Sequence, residues 1–290
     1  MAGSAGTDEG KAGFGHVYNR PDPRRYFQTL GALDYEIPQH AHATFAALLE
    51  ARRDTSPSTE AESVLDICCS YGINAALLRC DLTLADLFRR YDDPALAELT
   101  PEELATVDRD FFAHHCRTAA PRVLGLDAAE RAVAYGCDVG LLDAGWAENL
   151  EDAEPSPELL RTVDNVGLIT ITGGVGYITE RTFDRLLQNL PLDRMPWVAA
   201  FVLRMYPYDR IADTLAQHGL VTERLEGTTF RQRRFASAQE RTAALAQTRS
   251  QGIDTCGKED TGWYHCDLFV SRPPDQLRRV FSAGNPDEVG

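Results

Sequence analysis

The chain has 290 residues, of which 43% are hydrophobic and 25% charged, a composition typical of a globular protein that can bury its own core. Its 29 Lys and Arg residues are outnumbered by 44 Asp and Glu residues, and a net charge of −15 disfavours nucleic-acid partners because it repels phosphate backbones. The longest weakly polar run, residues 166–178, is shorter than the ~20 residues that a membrane-spanning helix needs. We therefore expect a cytoplasmic protein that binds neither nucleic acid nor membranes.

The seven cysteines are odd in number and include no CxxC pair. Unpaired thiols of this kind are typical of a reducing compartment rather than of a disulfide framework. His114-His115-Cys116 and His265-Cys266 contain metal-ligating atoms, but adjacent residues point in different directions and lack the spacing of a structural zinc site. We expect no metal ion.

The amino-terminal part is predicted to be a tail followed by a helical cap. Residues 1–15 are rich in Gly and Ala and are predicted to be disordered. The cap, residues 16–60, should contain a short helix at 23–33, extended chain after it, and an amphipathic helix at 41–53 before a Ser/Thr/Pro-rich loop. Its early part is dense in tyrosine and arginine, which makes it a candidate lid over a ligand, with a solvated surface loop as the alternative.

Between residues 61 and 272, strands alternate with helices. Short β-branched or apolar runs predict seven strands, at residues 63–69, 122–126, 143–146, 165–172, 197–204, 220–225 and 264–271. This alternation predicts an α/β protein with a largely parallel sheet and helices on both faces. Helical insertions interrupt the pattern at about 80–118, with helical runs at 82–90, 100–107 and 108–116, and at 237–251. Residues 273–290 form a tail.

Two acids lie near or at the ends of consecutive predicted strands, at the edge where parallel sheets bind ligands. Asp66 lies near the end of the first strand, where a turn containing Gly72 leads into a helix, and Asp127 ends the second strand. An acid in the second position can accept hydrogen bonds from both ribose hydroxyls of a nucleoside. The pair favours an adenosine-type ligand, and the alternative is that both are turn and cap residues.

These strand ends resemble those of the class I S-adenosylmethionine-dependent methyltransferases. Residues 66–72 (DICCSYG) are similar to the family's D/E-x-G-x-G-x-G turn, with Cys68 and Ser70 in place of two glycines, and Asp127 corresponds to the family's second-strand acid. The resemblance covers residues 63–272. It implies a Rossmann-like, seven-stranded sheet with an antiparallel last strand, S-adenosylmethionine as cofactor, and a small-molecule acceptor.

The resemblance also implies which residues contact the cofactor. Asp66 would lie beneath its amino group, Asp127 would bind the ribose, and Asn149 would contact the adenine edge. Residues 172–174 (TGG) would lie near the sulfonium, unless they are a plain turn. The full set on the sheet is Asp66, Cys68, Ser70, Gly72, Asp127, Ala128, Asn149, Leu150, Thr172 and Gly173.

Aromatic and arginine side chains supply the remaining candidates. From the cap, Arg25 could pair with the cofactor carboxylate, beside Tyr26 and a candidate catalytic Tyr18. Tyr177 is the second catalytic candidate, because its ring could face the sulfonium and its hydroxyl could orient a nucleophile; a packed core tyrosine is the alternative.

Weaker candidates lie on the predicted acceptor side. They are Arg204, Tyr206, Tyr208, the basic run 230–234 (FRQRR), His40 and His42. The basic run could face an acidic acceptor, or it could be an ion-paired surface. The histidines could serve as a general base, but a lone histidine is more often structural.

The leading functional hypothesis is methyl transfer to a small molecule by in-line displacement, which needs positioning and exclusion of water rather than a covalent intermediate. In the first alternative, the protein uses the same cofactor but catalyses ring closure within it, which gives azetidine-2-carboxylate and methylthioadenosine. The second is a non-catalytic scaffold that retains the fold, since fold alone does not give function. The sequence leaves open whether the protein forms a homodimer.

Overall fold

The computed structural model describes residues 15–55 and 63–277. The tail predicted at residues 1–15 lies outside the described residues except for its last residue, as do most of the Ser/Thr/Pro-rich loop and residues 278–290 of the carboxyl-terminal tail.

Three helices precede the sheet: α1 (Gly15–Tyr18), α2 (Arg24–Gly31) and α3 (Ile37–Thr55). The expectation of extended chain before residue 41 is wrong, because α3 begins four residues earlier. Pro38 is the second residue of α3, and a proline is tolerated there since the first N–H groups of a helix have no intrahelical partner. The proline therefore marks the start of this helix and does not interrupt it.

The described residues form one mixed sheet of eight strands. They are β1 (Ser63–Ile67), β2 (Arg122–Leu126), β3 (Ala144–Trp146), β4 (Leu168–Thr172), β5 (Trp197–Leu203), β6 (Val221–Arg224), β7 (Phe230–Arg234) and β8 (Trp263–Arg272). The order is β3-β2-β1-β4-β5-β8-β6, the first five strands being parallel and β8 antiparallel to β5. All seven predicted strands are present.

The eighth strand, β7, is the basic run that the sequence pattern did not assign to a strand. It pairs with the first half of β8, whereas β6 pairs with the second half of the same strand. The long β8 can therefore hold both strands along one edge, and β7 reaches the part of the sheet that lies over the carboxyl ends of the parallel strands.

Helices cover both faces of the sheet. Those after β1 are α4 (Ile73–Arg79), α5 (Leu84–Tyr91), α6 (Pro94–Ala97), α7 (Pro101–His115), α8 (Glu130–Asp138), α9 (Pro157–Val163), α10 (Glu180–Leu187), α11 (Asp209–Gln217) and α12 (Ala238–Ser250). Successive residues of β5 enter different cores: Phe201 and Leu203 pack with the cap and α4, while Ala200 and Val202 pack with α10 and α11. This alternation follows from the two-residue period of a strand.

In the described part, no helix is long and apolar enough to cross a bilayer.

The first insertion consists of α5, α6 and α7. The two helices predicted at 100–107 and 108–116 are one continuous helix, α7. Its fully buried Asp108 accepts hydrogen bonds from the hydroxyls of Tyr91 and Tyr135 and from the guanidinium of Arg90. A single carboxylate therefore holds α5 and α7 against α8.

All seven cysteines lie in the described part, and each is a free thiol. Over residues 15–55 and 63–277, no group of three His, Cys, Asp or Glu side chains is arranged to hold a metal ion.

Candidate functional site

The turn after β1 keeps a glycine-like backbone where two glycines are replaced. Cys68, Ser70 and Gly72 have φ of 59°, 50° and 81°, all in the left-handed region. For the two non-glycine residues this costs roughly 1–2 kcal/mol each. The chain thus retains at residues 68, 70 and 72 the conformation for which the family's turn uses glycine.

A cavity of about 460 Å³ lies above this turn. Its floor is formed by the residues that follow the carboxyl ends of four neighbouring strands, β1 to β4, and its roof by the cap and by β7. This is the position at which open parallel sheets bind ligands. The cavity is large enough for a ligand of nucleoside size.

Asp66 lies beneath the floor of the cavity. Its carboxylate is 1% exposed and accepts hydrogen bonds from Asn74 Nδ2 (3.0 and 3.2 Å) and Thr170 Oγ1 (2.8 Å). Burial raises the pKa of Asp66 from its ordinary 3.8 to about 7, against the opposing effect of the hydrogen bonds from these two side chains. Asn74 Nδ2 also donates to Thr172 Oγ1 (3.0 Å), so this amide links the acid to the end of β4.

Asp127 lines the cavity directly. Its two carboxylate oxygens accept the backbone N–H groups of Ser70 (2.9 Å) and Ala129 (2.9 Å), which fixes the side chain at the end of β2. Burial raises its pKa, and these backbone N–H groups act in the opposite direction. Since a carboxylate has about four acceptor sites, the group keeps the capacity to bind two further donors.

Three buried polar atoms in the cavity wall have no hydrogen-bond partner among the described residues: Ser70 Oγ, Asn74 Oδ1 and Gln232 Oε1. The three side chains are only 7%, 6% and 3% exposed. Because buried polar groups are nearly always hydrogen-bonded, these three atoms are available to a ligand or a solvent molecule in the cavity. Two of the three are amide oxygens, which can only accept.

The sheet matches the arrangement that the resemblance implies. It is largely parallel with the last strand, β8, antiparallel to β5, and β7 is an additional strand. The left-handed backbone at residues 68, 70 and 72 is a further observation that agrees with it. The fold is that of the class I S-adenosylmethionine-dependent methyltransferases.

No protein-family model matches this chain, and no curated protein sequence matches it. Solved structures are similar to it in outline. Magnesium protoporphyrin IX methyltransferase from Synechocystis, solved with bound SAM, is 12% identical with a TM-score of 0.40, over 91% of this chain and 92% of the other. The N-methyltransferase NodS from Bradyrhizobium japonicum, in complex with S-adenosyl-L-homocysteine, is 13% identical with a TM-score of 0.39, over 92% and 100%. These TM-scores are below 0.5, so the fold assignment rests on the strand order and the turn.

Most of the predicted site residues line the cavity. They are Tyr18, Tyr26, Cys68, Ser70, Asp127, Ala128, Asn149, Leu150, Thr172, Gly173 and Tyr177. Their roles toward a ligand remain predictions. The sequence pattern could place them together because they follow strand ends or belong to the cap.

Three predicted residues lie outside the cavity lining. Asp66 is covered by Asn74, so direct contact between its carboxylate and a ligand is not supported. Gly72 shapes the turn as the residue that caps α4. Arg25 is exposed on the outer side of α2. Its neighbour Arg24 donates hydrogen bonds to Asp22 and to the backbone carbonyls of residues 96, 97 and 99. Successive helical residues point about 100° apart, so Tyr26 faces inward while Arg25 faces solvent.

The glycines after β4 are required by packing. Gly173 has φ 71°, and a Cβ at that position would lie 2.3 Å from Gln232 Nε2. A Cβ on Gly174 would lie 2.7 Å from Cys68 Sγ. Both glycines therefore allow the floor of the cavity to approach its neighbours closely, whichever ligand binds above it.

Asn149 lines the cavity, but its amide is already used within its own turn. Its Nδ2 donates to Asp152 (2.7 Å) and its Oδ1 accepts the backbone N–H of Glu151 (3.1 Å). One N–H and one lone pair of the amide are left for a ligand. The neighbouring Leu150 and Ile178 contribute apolar surface to the same part of the cavity.

The cap contributes a tyrosine cluster to the roof. The ring of Tyr26 lies 5.7 Å from that of Tyr18 and 6.3 Å from that of Tyr35, and all three side chains line the cavity. Burial raises the pKa of each of the three tyrosines above its ordinary value of 10. At neutral pH these residues are uncharged hydrogen-bonding groups, so Tyr18 is unsuited to act as a phenolate base. Tyr177, by contrast, is 51% exposed at the mouth.

Two residues of the basic run 230–234, a weaker candidate in the sequence, line the cavity from β7. A bulge between Arg231 and Arg234 turns two consecutive side chains, Gln232 and Arg233, toward the interior. Arg233 is 2% exposed and forms a bidentate ion pair with Glu240 (2.7 and 3.1 Å). Regular strand alternation would have exposed one of the two, and the sequence contains no signal for the bulge.

The remaining acceptor-side candidates do not line the cavity. Arg204 pairs with Glu259 (2.8 Å) in the interior, and Tyr208 stacks on Phe269. Tyr206 packs against Gly176, beside the mouth. His40 contacts Glu36, and burial lowers the pKa of His42, but neither histidine reaches the cavity. The expectation that these residues face a substrate is therefore not supported by their positions.

The buried Asp66 predicts a dependence of stability on pH. Since its folded pKa of about 7 exceeds its ordinary 3.8, the folded state binds more protons than the unfolded state between these values. The free energy of unfolding should therefore fall as pH rises, by about 3 kcal/mol between pH 5 and pH 8 relative to Asp66→Asn. Urea denaturation of both proteins across this range measures the difference. Parallel curves would show that Asp66 is ionised in the folded protein throughout.

Proposed function

We propose that this protein is a S-adenosylmethionine-dependent transferase that moves a methyl group to a small-molecule acceptor by in-line displacement. The observation that carries the proposal is one cavity at the carboxyl ends of the strands that combines the Asp127 carboxylate with three unpartnered buried polar atoms. When bound, S-adenosylmethionine would supply a methyl group already activated on a sulfonium.

The site fits the nucleoside part of this molecule. Asp127 retains acceptor capacity for two hydroxyl groups at a fixed position. Beside it, Leu126, Ala128, Leu150 and Ile178 provide apolar surface of the kind that a flat base requires. These contacts support binding of an adenosine moiety next to β2 and β3.

The opposite side of the cavity fits an ammonium group. Asn74 Oδ1 and Gln232 Oε1 lack donors, and both side chains flank the end of β4, Asn74 through Thr172 and Gln232 through Gly173. Asp66 lies directly behind Asn74 and adds negative potential when it is ionised. Acceptors backed by a carboxylate favour a cationic donor, and the amino-acid end of the cofactor carries one.

The groups in the cavity also restrict the acceptor. Among the described residues that line it, the carboxylates are Asp127, which binds two backbone N–H groups, and Glu148, which binds the N–H of Ser156 (2.9 Å); no histidine lines it. Tyr18 is held protonated. We therefore infer an acceptor whose nucleophilic atom has a free lone pair at neutral pH, such as a weakly basic nitrogen, a thiolate or a carboxylate, so that the protein's task is orientation and exclusion of water.

Calorimetry followed by product analysis tests the proposal. S-Adenosylhomocysteine should give saturable heat and raise the melting temperature. Incubation with S-adenosylmethionine and candidate acceptors of the stated chemistry should release S-adenosylhomocysteine. Methylthioadenosine as the product would instead indicate the ring-closing alternative. No heat and no thermal shift at millimolar ligand would favour a non-catalytic scaffold and contradict the proposal.

A further inference from the structure

Two cysteines face each other at the base of the first insertion. Cys80 follows α4, Cys116 follows α7, and the two residues form an isolated antiparallel bridge. The flanking hydrogen bonds run from Asp81 N to the His115 carbonyl (2.9 Å) and from Arg117 N to the Arg79 carbonyl (2.8 Å). Since neither bond joins the cysteines themselves, they form a non-hydrogen-bonded pair.

This pairing geometry suits a disulfide. Residues in a non-hydrogen-bonded antiparallel pair have Cα atoms about 4.5 Å apart and side chains on the same face. That separation falls within the range observed for disulfide bonds. The Cys116 side chain also lies close enough to the Cys80 thiol to contribute to raising its pKa.

The two thiols differ in accessibility. Cys116 is exposed, whereas Cys80 is 3% exposed and packs against α7. An oxidant can therefore reach one thiol, while the second is held beside it and protected from bulk solvent.

We propose that Cys80 and Cys116 form a reversible disulfide, a redox-sensitive latch that closes the base of the α5–α7 insertion.

The oxidant would be a peroxide. The sulfur of Cys116 attacks one peroxide oxygen, the O–O bond breaks, and a sulfenic acid and one water form when hydrogen peroxide reacts. The sulfur of Cys80 then attacks the Cys116 sulfur and expels hydroxide, which takes the Cys80 proton as a second water. Two thiols lose two electrons and two protons, and the peroxide gains both. Burial raises the pKa of Cys80 to about 12, so Cys116 is the thiol that reacts first.

The latch would act on the segment that supports the roof of the cavity. The insertion packs on α2 through Phe27, whose ring stacks on Tyr91 (4.4 Å) and lies 5.5 Å from Phe88. The residue before it in α2, Tyr26, lines the cavity. A disulfide joining the ends of residues 81–115 would restrict the opening of this segment and thereby of the cap. The disulfide can form whichever ligand the cavity binds.

Peptide mapping of the full chain tests the latch. After treatment with hydrogen peroxide and blocking of free thiols, trypsin should release peptides 80–89 and 110–117 as one cross-linked species, two hydrogen masses below their sum, that disappears on reduction. The oxidised protein should melt about 5 °C higher than the reduced protein.

Two variants make the result specific. In Cys116→Ser, both the cross-link and the thermal shift should be lost. In Cys256→Ser, which removes another exposed cysteine, both should persist. Oxidation that leaves peptides 80–89 and 110–117 separate, or that joins Cys116 only to another cysteine or another molecule, would overturn the proposal, as would an equal thermal shift in Cys116→Ser.

Discussion

Replacing Asp127 by Asn should weaken the binding of S-adenosylhomocysteine by about tenfold to hundredfold, the loss of 1–3 kcal/mol expected when hydrogen bonds to a charged acceptor are removed. The physical reason is that this carboxylate is held at the cavity wall by the N–H groups of Ser70 and Ala129 and keeps acceptor sites for a ligand. Isothermal titration calorimetry measures the change. An affinity within twofold of the wild-type value would contradict a role for Asp127 in binding the ribose.

A matched variant separates binding from folding. Asp143 also accepts a backbone N–H of β2, that of Val123 (2.8 Å), but it lies outside the cavity. Asp143→Asn should therefore leave the affinity unchanged. If it weakens binding as much as Asp127→Asn does, the effect of Asp127 comes from the stability of the sheet and not from a contact with the ligand.

A comparison of two ligands tests where the ribose and the amino-acid end of S-adenosylhomocysteine bind. Methylthioadenosine contains the ribose but lacks the amino-acid end, so Asp127→Asn should weaken both ligands. Gln232→Leu removes an unpartnered acceptor from the other side and should weaken S-adenosylhomocysteine by about tenfold while sparing methylthioadenosine. Equal losses for both ligands in Gln232→Leu would argue against the proposed orientation.

Replacing Arg233 by Met should destabilise the protein by about 3–5 kcal/mol, because it leaves the buried carboxylate of Glu240 without its counter-ion. The side chains of this pair are 2% and 3% exposed, and Arg233 also lies over the ring of Tyr264 at 4.8 Å. Guanidinium denaturation at neutral pH measures the loss.

Two further variants identify its cause. Arg233→Met combined with Glu240→Leu should recover most of the stability, because no buried charge then remains unpaired. Arg109→Met breaks the exposed pair with Asp138 (2.7 Å) and should cost less than about 1 kcal/mol. If the double variant is as unstable as Arg233→Met, the loss comes from packing on Tyr264 rather than from an unpaired charge.

Local sequence patterns were sufficient to predict the architecture of the sheet. Apolar runs separated by helical spacing predicted seven strands in the right places, because a buried parallel strand must be apolar on both faces. Strand-end position was also sufficient to bring Asp127, Thr172 and the turn after β1 to one cavity. Chain order and residue type determine these features, since parallel strands end at a common edge.

What the sequence by itself determined, therefore, was the α/β sheet, its two helical layers and the edge at which the cavity lies. Only the tertiary structure decided that Asp66 is covered by Asn74, that Arg25 faces solvent, and that Gln232 and Arg233 both turn inward. Each of these depends on contacts between residues far apart in the chain, or on a bulge for which no residue in β7 provides a signal. Local propensity specifies a helix or a strand, but the direction in which a polar side chain points is decided by the partner that the fold places beside it.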